Sequence, residues 1–147
     1  MRQVLALAIV AAMSSFAYAA DWPPATDYLA GKMLDCSTDA KPQFCEKTKR
    51  YWIEDYNNAI KGEYNGQRNI AACFSTGCDG SIAANPVLGC AWRVVIANSG
   101  HMQTNKLDAD WLKIYCGAEF LDDTGRAMAE VQARSILQKI SKTAQLN

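Results

Sequence analysis

The sequence predicts an all-α domain, an array of about five to six short helices stapled by disulfides. Three observations lead there. Apolar residues recur at three- and four-residue spacing through residues 42–142, each run bounded by Gly, Pro, Asn or Asp. No stretch alternates apolar and polar residues between hairpin turn signals, as strands would require. Six cysteines, an even number, all follow an N-terminal export signal in a chain of 147 residues, a length suited to one core.

The export signal comes first. Arg2 precedes an apolar run from Val4 to Met13, then Ala17-Tyr18-Ala19. A positive start, a short apolar centre and an Ala-x-Ala site form a secretory signal peptide over residues 1–19. Cleavage leaves residues 20–147 as one helical domain. No cysteine follows the apolar run until Cys36, which argues against a lipoprotein anchor. No later segment approaches the roughly 20 apolar residues of a membrane span. The expected product is secreted, to a Gram-negative-type periplasm, with no membrane association after cleavage.

Trp22-Pro23-Pro24 is a stiff extended segment. Ala25 to Leu34 follows as a short helix carrying Tyr28, Leu29 and Met33. Pro42 opens a longer helix to Ile60, with a stripe of Phe44, Trp52, Tyr56, Ala59 and Ile60. From Gln67 to Phe74, Ile70, Cys73 and Phe74 mark the next. Asn85 caps a helix starting at Pro86, whose missing N–H would have no intrahelical partner in the first turn. That helix carries Leu88, Ala91, Trp92, Val95 and Ile96. Gly77 and Gly100 stand where helix ends accept a left-handed residue. The two helices pack antiparallel, with Gly66, Ala71 and Gly89 allowing close approach. Asp108 is placed to cap a helix through Leu121 bearing Trp111, Leu112, Tyr115, Cys116 and Phe120. Asp122-Asp123-Thr124-Gly125 breaks it. A last helix, about Arg126 to Lys142, carries Met128, Val131, Leu137 and Ile140, with Lys139 and Lys142 favourable near its C-terminus.

Cysteines 36, 45, 73, 78, 90 and 116 allow 15 pairings. Cys36 and Cys45 flank a short polar stretch and suit a local bridge. Cys73 and Cys90 stand level across the antiparallel helices, which suggests a bond between them and leaves Cys78 for Cys116. The alternative joins Cys73 to Cys78 and Cys90 to Cys116. Zinc is the competing use. However, there is no Cys-x-x-Cys, and the only histidine, His101, lies in a polar loop away from the cysteines.

Residues 62–100 carry a further pattern. Gly62-Glu63 precedes a helix reading Gly66-Gln67-Arg68-Asn69-Ile70-Ala71, with Phe74 and Gly77 at its end. The next helix has Gly89, Trp92, Ile96-Ala97 and a closing Gly100. This resembles one unit of the Sel1-like repeat, a family of tetratricopeptide-like α/α hairpins that stack into solenoids. It covers about a quarter of the chain. The resemblance implies that Gly62, Asn69, Gly77, Trp92 and Gly100 are structural, Trp92 lying where one hairpin packs on the next. It also implies binding of another protein on the helix face of the central hairpin, through Tyr64, Gln67, Arg68 and Arg93 on its exposed side.

Without Arg2 the basic and acidic residues number 14 and 15, a net charge of −1. Nucleic acid as ligand would call for a basic patch. The adjacent carboxylates Glu54-Asp55 point in different directions on a helix, and Asp122-Asp123 suit capping better than acid–base work. No Gly-x-Ser-x-Gly elbow, phosphate loop or His-Glu-x-x-His occurs. The expectation is a non-enzymatic protein–protein interaction module without cofactor or metal. The alternative is a periplasmic inhibitor or immunity protein against a cell-wall hydrolase or secreted toxin, presenting the 78–85 loop.

Overall fold

A computed structural model describes residues 22–145. The predicted signal peptide lies outside the described residues. The helices are α1 (Gly31–Leu34), α2 (Pro42–Ile60), α3 (Tyr64–Thr76), α4 (Pro86–Asn98), α5 (Lys106–Tyr115) and α6 (Asp123–Gln145), with short 3₁₀ turns at Ala25–Tyr28 before α1 and Cys36–Thr38 after it. The domain is all-α, as the periodicity predicts; an isolated antiparallel bridge joins Leu29 to Ile82. No described helix is long and apolar enough to cross a membrane.

Helices α2, α3, α4 and α5 pack in sequential pairs, and α6 returns across α4 to touch α2. The core forms where they meet, from Trp52, Tyr56 and Ala59 of α2, Ile70 and Phe74 of α3, Trp92 and Val95 of α4, and Ala129 and Ala133 of α6. Tyr28, Trp52, Tyr56 and Phe74 pack as an aromatic cluster with centroids 5.0–6.4 Å apart. The same α2 aromatics hold the N-terminal segment: Trp52 Nε1 donates to the Ala25 carbonyl at 3.0 Å and Tyr56 Oη to the Pro23 carbonyl at 2.9 Å.

Several local predictions appear directly. Asn85 accepts the Leu88 N–H at 3.0 Å with Pro86 in the first turn of α4. Gly77 ends α3 at φ +77°, and Gly62 and Gly100 take φ +95° and +73° in the turns after α2 and α4. Asp122 caps α6 by accepting the Gly125 N–H at 2.7 Å. Asn69 ties α3 to α2 by donating to Asp55 Oδ1 at 3.0 Å. Trp92 is buried and stacks on Trp22 at 6.1 Å.

The structure corrects other expectations. The Ala25–Leu34 helix is broken at Leu29, where its neighbours Tyr28 and Ala30 pair with Ala83 and Ser81. Phe44 is exposed rather than part of the α2 stripe. Gly66 faces α2, not α4: a Cβ there would sit 2.7 Å from the Ala59 N and Asp55 O backbone atoms. Gly89 is the glycine of the α3–α4 crossing, where a Cβ would meet Ser75 N at 2.9 Å. On α6 the buried stripe is Gly125, Ala129, Ala133 and Ile136. These small residues bring the α6 backbone close to the core and leave Met128 and Val131 exposed. Asn105, not Asp108, caps α5, and α5 ends at Tyr115 with Phe120 beyond it in a turn.

The disulfides are Cys36–Cys45, Cys73–Cys78 and Cys90–Cys116. The second alternative holds, and the Cys73–Cys90 and Cys78–Cys116 pairing does not. Standing level is not enough. Ser75 faces Gly89 across the helix pair, and Cys73 lies two residues, about 200° of helix rotation, from Ser75. It points away from α4, and the left-handed backbone at Gly77 and Cys78 turns the chain back to meet it. Disulfides of this number belong to an oxidising, extracytoplasmic compartment.

Candidate functional site

The four residues expected to bind a partner do come together, but under α5 rather than on an open face. Tyr64, Gln67 and Arg68 lie on one side of α3, and Arg93 projects from α4. Helix α5 packs mainly against α4 and covers that side, held there by Cys90–Cys116. Tyr64 and Arg93 are buried beneath it, Arg93 with 4% exposure, and Gln67 is buried beside His101, which corrects the expected exposed surface. The Arg68 side chain keeps 23% of its surface in solvent.

The first turn of α5 sets the geometry. Asn105 accepts the Leu107 N–H at 2.9 Å, and the buried Asp108 reaches back to the Asn105 N–H at 3.0 Å, forming a capping box. Tyr64 Oη donates to the same Asp108 Oδ2 at 2.6 Å. Arg68 Nε lies 3.0 Å from Asp108 Oδ1, a close ion pair whose N–H is not aligned for a hydrogen bond. One buried carboxylate thus joins α3 to the start of α5.

Two guanidiniums share the rings that follow. The Arg68 guanidinium carbon stands 4.7 Å from the centre of the Trp111 ring and 5.4 Å from that of Tyr64. That of Arg93 stands 4.2 Å from Tyr115 and 5.4 Å from Trp111. Cations over ring faces are favourable, and more so when desolvated. Among the described residues no carboxylate lies within ion-pair reach of Arg93, and its Nε has no hydrogen-bond partner. Burial lowers its pKa to about 10, with Tyr115 and Asp108 opposing that fall, so the group stays charged at neutral pH. Burial and the Asp108 carboxylate raise the Tyr64 phenol.

His101 belongs to the edge of this cluster rather than to a detached loop. Its Nε2 is 3.3 Å from Gln67 Oε1, and its ring packs edge-on against Tyr64 at 5.6 Å. Sequence reasoning missed Asp108, Trp111 and Tyr115 as partners of the arginines. Their spacing carried the clue: Asp108, Trp111 and Tyr115 share one face of α5, as Tyr64 and Arg68 share one face of α3.

The outer side of α5 is different. Leu107 and Ile114 are exposed, as is Phe120 in the turn beyond, where its ring packs edge-on against Tyr115 at 4.9 Å. Ile114 and Phe120 line a shallow groove with Asp110, Lys113 and Glu119. Among the described residues no group of three or more His, Cys, Asp or Glu side chains could hold a metal ion. No protein family, curated protein or solved structure matches this chain.

Proposed function

We propose that this chain is an exported, non-enzymatic module that binds another protein, built on a Sel1-like α/α hairpin and acting in the periplasm or outside the cell. The observation that carries the reading is the one-sided packing of α5. Its inner face closes on the hairpin through Asp108, Trp111 and Tyr115, while Leu107, Ile114 and Phe120 stay exposed beside it. Large apolar side chains grouped on a rigid, stapled element are what a protein interface uses as anchors. The polar groups beneath serve structure: Asp108 is engaged by Tyr64, Arg68 and the α5 cap. The Sel1-like part of the reading draws on the residue pattern at 62–100 and on the left-handed glycines that end its helices.

The test is capture from an envelope extract by the oxidised chain and by Ile114→Asp, a substitution at an exposed position. An envelope component captured stoichiometrically by the parent and lost with Ile114→Asp supports the module. Capture unaffected by Ile114→Asp moves the contact off α5. The second reading, an inhibitor of a cell-wall hydrolase or secreted toxin, is favoured by the 78–85 loop. Cys73–Cys78 staples its start, Ile82 is buried, and Ala83 pairs with Tyr28, leaving Asp79-Gly80 as a rigid exposed tip. A hydrolase or toxin captured through Asp79 would establish that reading instead.

A further inference from the structure

The arginine cluster has an electrostatic shortfall. Two guanidiniums share the Trp111 ring, and the one carboxylate beside them pairs with Arg68 alone. Asp108 is already committed, to the Tyr64 hydroxyl, the Asn105 N–H and the Arg68 Nε. Arg93 is buried without a carboxylate of its own. A desolvated cation left without an anion is costly, and aromatic faces offset only part of that. Arg68 is the route by which an anion could reach the cluster. Its Nε faces Asp108, its side chain is part-exposed, and among the described residues no hydrogen bond engages its terminal nitrogens. The half-buried Trp111 gives the adjoining surface an apolar floor.

We propose that the Arg68–Trp111 edge of this cluster is a carboxylate-binding site that docks an acidic segment of the partner protein. An Asp or Glu side chain takes the fork of Arg68 Nη1 and Nη2, and its charge compensates Arg93 beneath. A guanidinium fork suits a carboxylate bidentately, and a lysine in its place would offer only a point charge. Trp111 and the exposed Ile114 lie on the same short helix, so the acidic contact and the apolar anchors fit one partner segment. The inference rests on the binding-module reading and specifies the partner's chemistry.

The experiment titrates the oxidised, isotopically labelled chain with an acetylated Asp-Glu-Asp-Leu peptide and with its Asn-Gln-Asn-Leu counterpart. Sodium acetate forms a third arm. The readouts are the Arg68 Nε–H and Trp111 indole N–H resonances. The expected result is a saturable shift with the acidic peptide alone, weakened about tenfold between about 20 mM and 200 mM salt. Arg68→Lys should weaken it about tenfold and Arg68→Gln should abolish it. Arg68→Lys keeps a cation beside Asp108 should the glutamine variant fail to fold. Equal shifts with the amide peptide, or full binding to Arg68→Lys, overturn the site. Acetate binding as tightly as the peptide overturns protein docking in favour of simple anion recognition. In the capture assay, a partner lost with Ile114→Asp but retained by Arg68→Lys overturns this inference and leaves the module reading intact. Retention by both variants overturns this inference and moves the module's contact off α5.

Discussion

Gly66→Ala is the sharpest test of how the hairpin is assembled. A methyl at Gly66 would stand 2.7 Å from both Ala59 N and Asp55 O, and 2.9 Å from Asn58 Cβ. Ordinary contact begins near 3.4 Å, so α3 must move about 0.7 Å from α2, and both nearest atoms are backbone that no rotamer change can clear. Such overpacking costs about 1–3 kcal/mol, and this case belongs at the upper end. Alanine recovers up to about 1 kcal/mol through helix propensity. The net expectation is a loss of about 2 kcal/mol, or about 8 °C in Tm for a domain of this size. Gly31→Ala is the matched control, since nothing lies within 4 Å of its Cβ position. It should be neutral or stabilising by up to about 1 kcal/mol. Urea unfolding of the two oxidised variants, with disulfides verified by mass, supplies the comparison. If Gly66→Ala unfolds at or above the parent midpoint, the close α2–α3 crossing is wrong.

Other outcomes follow from the same structure. Tyr64→Phe removes the 2.6 Å hydrogen bond to the buried Asp108 and should cost about 1–3 kcal/mol by denaturant titration. Replacing both Cys90 and Cys116 by Ala, which opens the loop of sequence separation 26, should cost about 3.5 kcal/mol on chain entropy. The same change at Cys73 and Cys78, separation 5, should cost about 2 kcal/mol; equal midpoints for the two pairs would contradict this ordering. Burial raises the phenol pKa values of Tyr28 and Tyr56, with the neighbouring Tyr28 adding to the rise at Tyr56. Both hold their protons to higher pH in the fold than in the unfolded chain, which ionises near pH 10, so the native state binds more protons and stability falls as pH rises above about 10. Each contributes at most about 1.4 kcal/mol per pH unit, less solvent screening. Tyr56→Phe should flatten the decline measured between pH 9 and 11.

Most of the architecture could be read from the chain because its helices announce themselves locally. Pro42 and Pro86 start helices, Asn85 and Asp122 cap them, and Gly62 and Gly77 reverse them, all through short-range backbone chemistry. What the sequence concealed depends on rotation about helix axes. Met128 and Val131 read as core because they are large and apolar. Yet α6 packs through Gly125, Ala129 and Ala133, where absence of bulk is the useful property. The Cys73 pairing was obscured for the same reason, since height along a hairpin is legible and azimuth is not. At the site, Tyr64, Gln67 and Arg68 fall on α3 and Arg93 on the neighbouring α4. The burial of Tyr64 and Arg93 could not be read, because it depends on where α5 settles after a polar loop of little pattern.

The Cys90–Cys116 bridge makes the seating of α5 depend on oxidation. Helices α2, α3, α4 and α6 are packed on one another, whereas α5 rests mainly on α4 through this bond and the Asp108 cluster. Opening this one bridge would loosen the seat of α5 on α4. Ile114, Trp111 and Arg68 would then no longer share a fixed surface. On the proposed reading, oxidation of Cys90 and Cys116 is what assembles the recognition face.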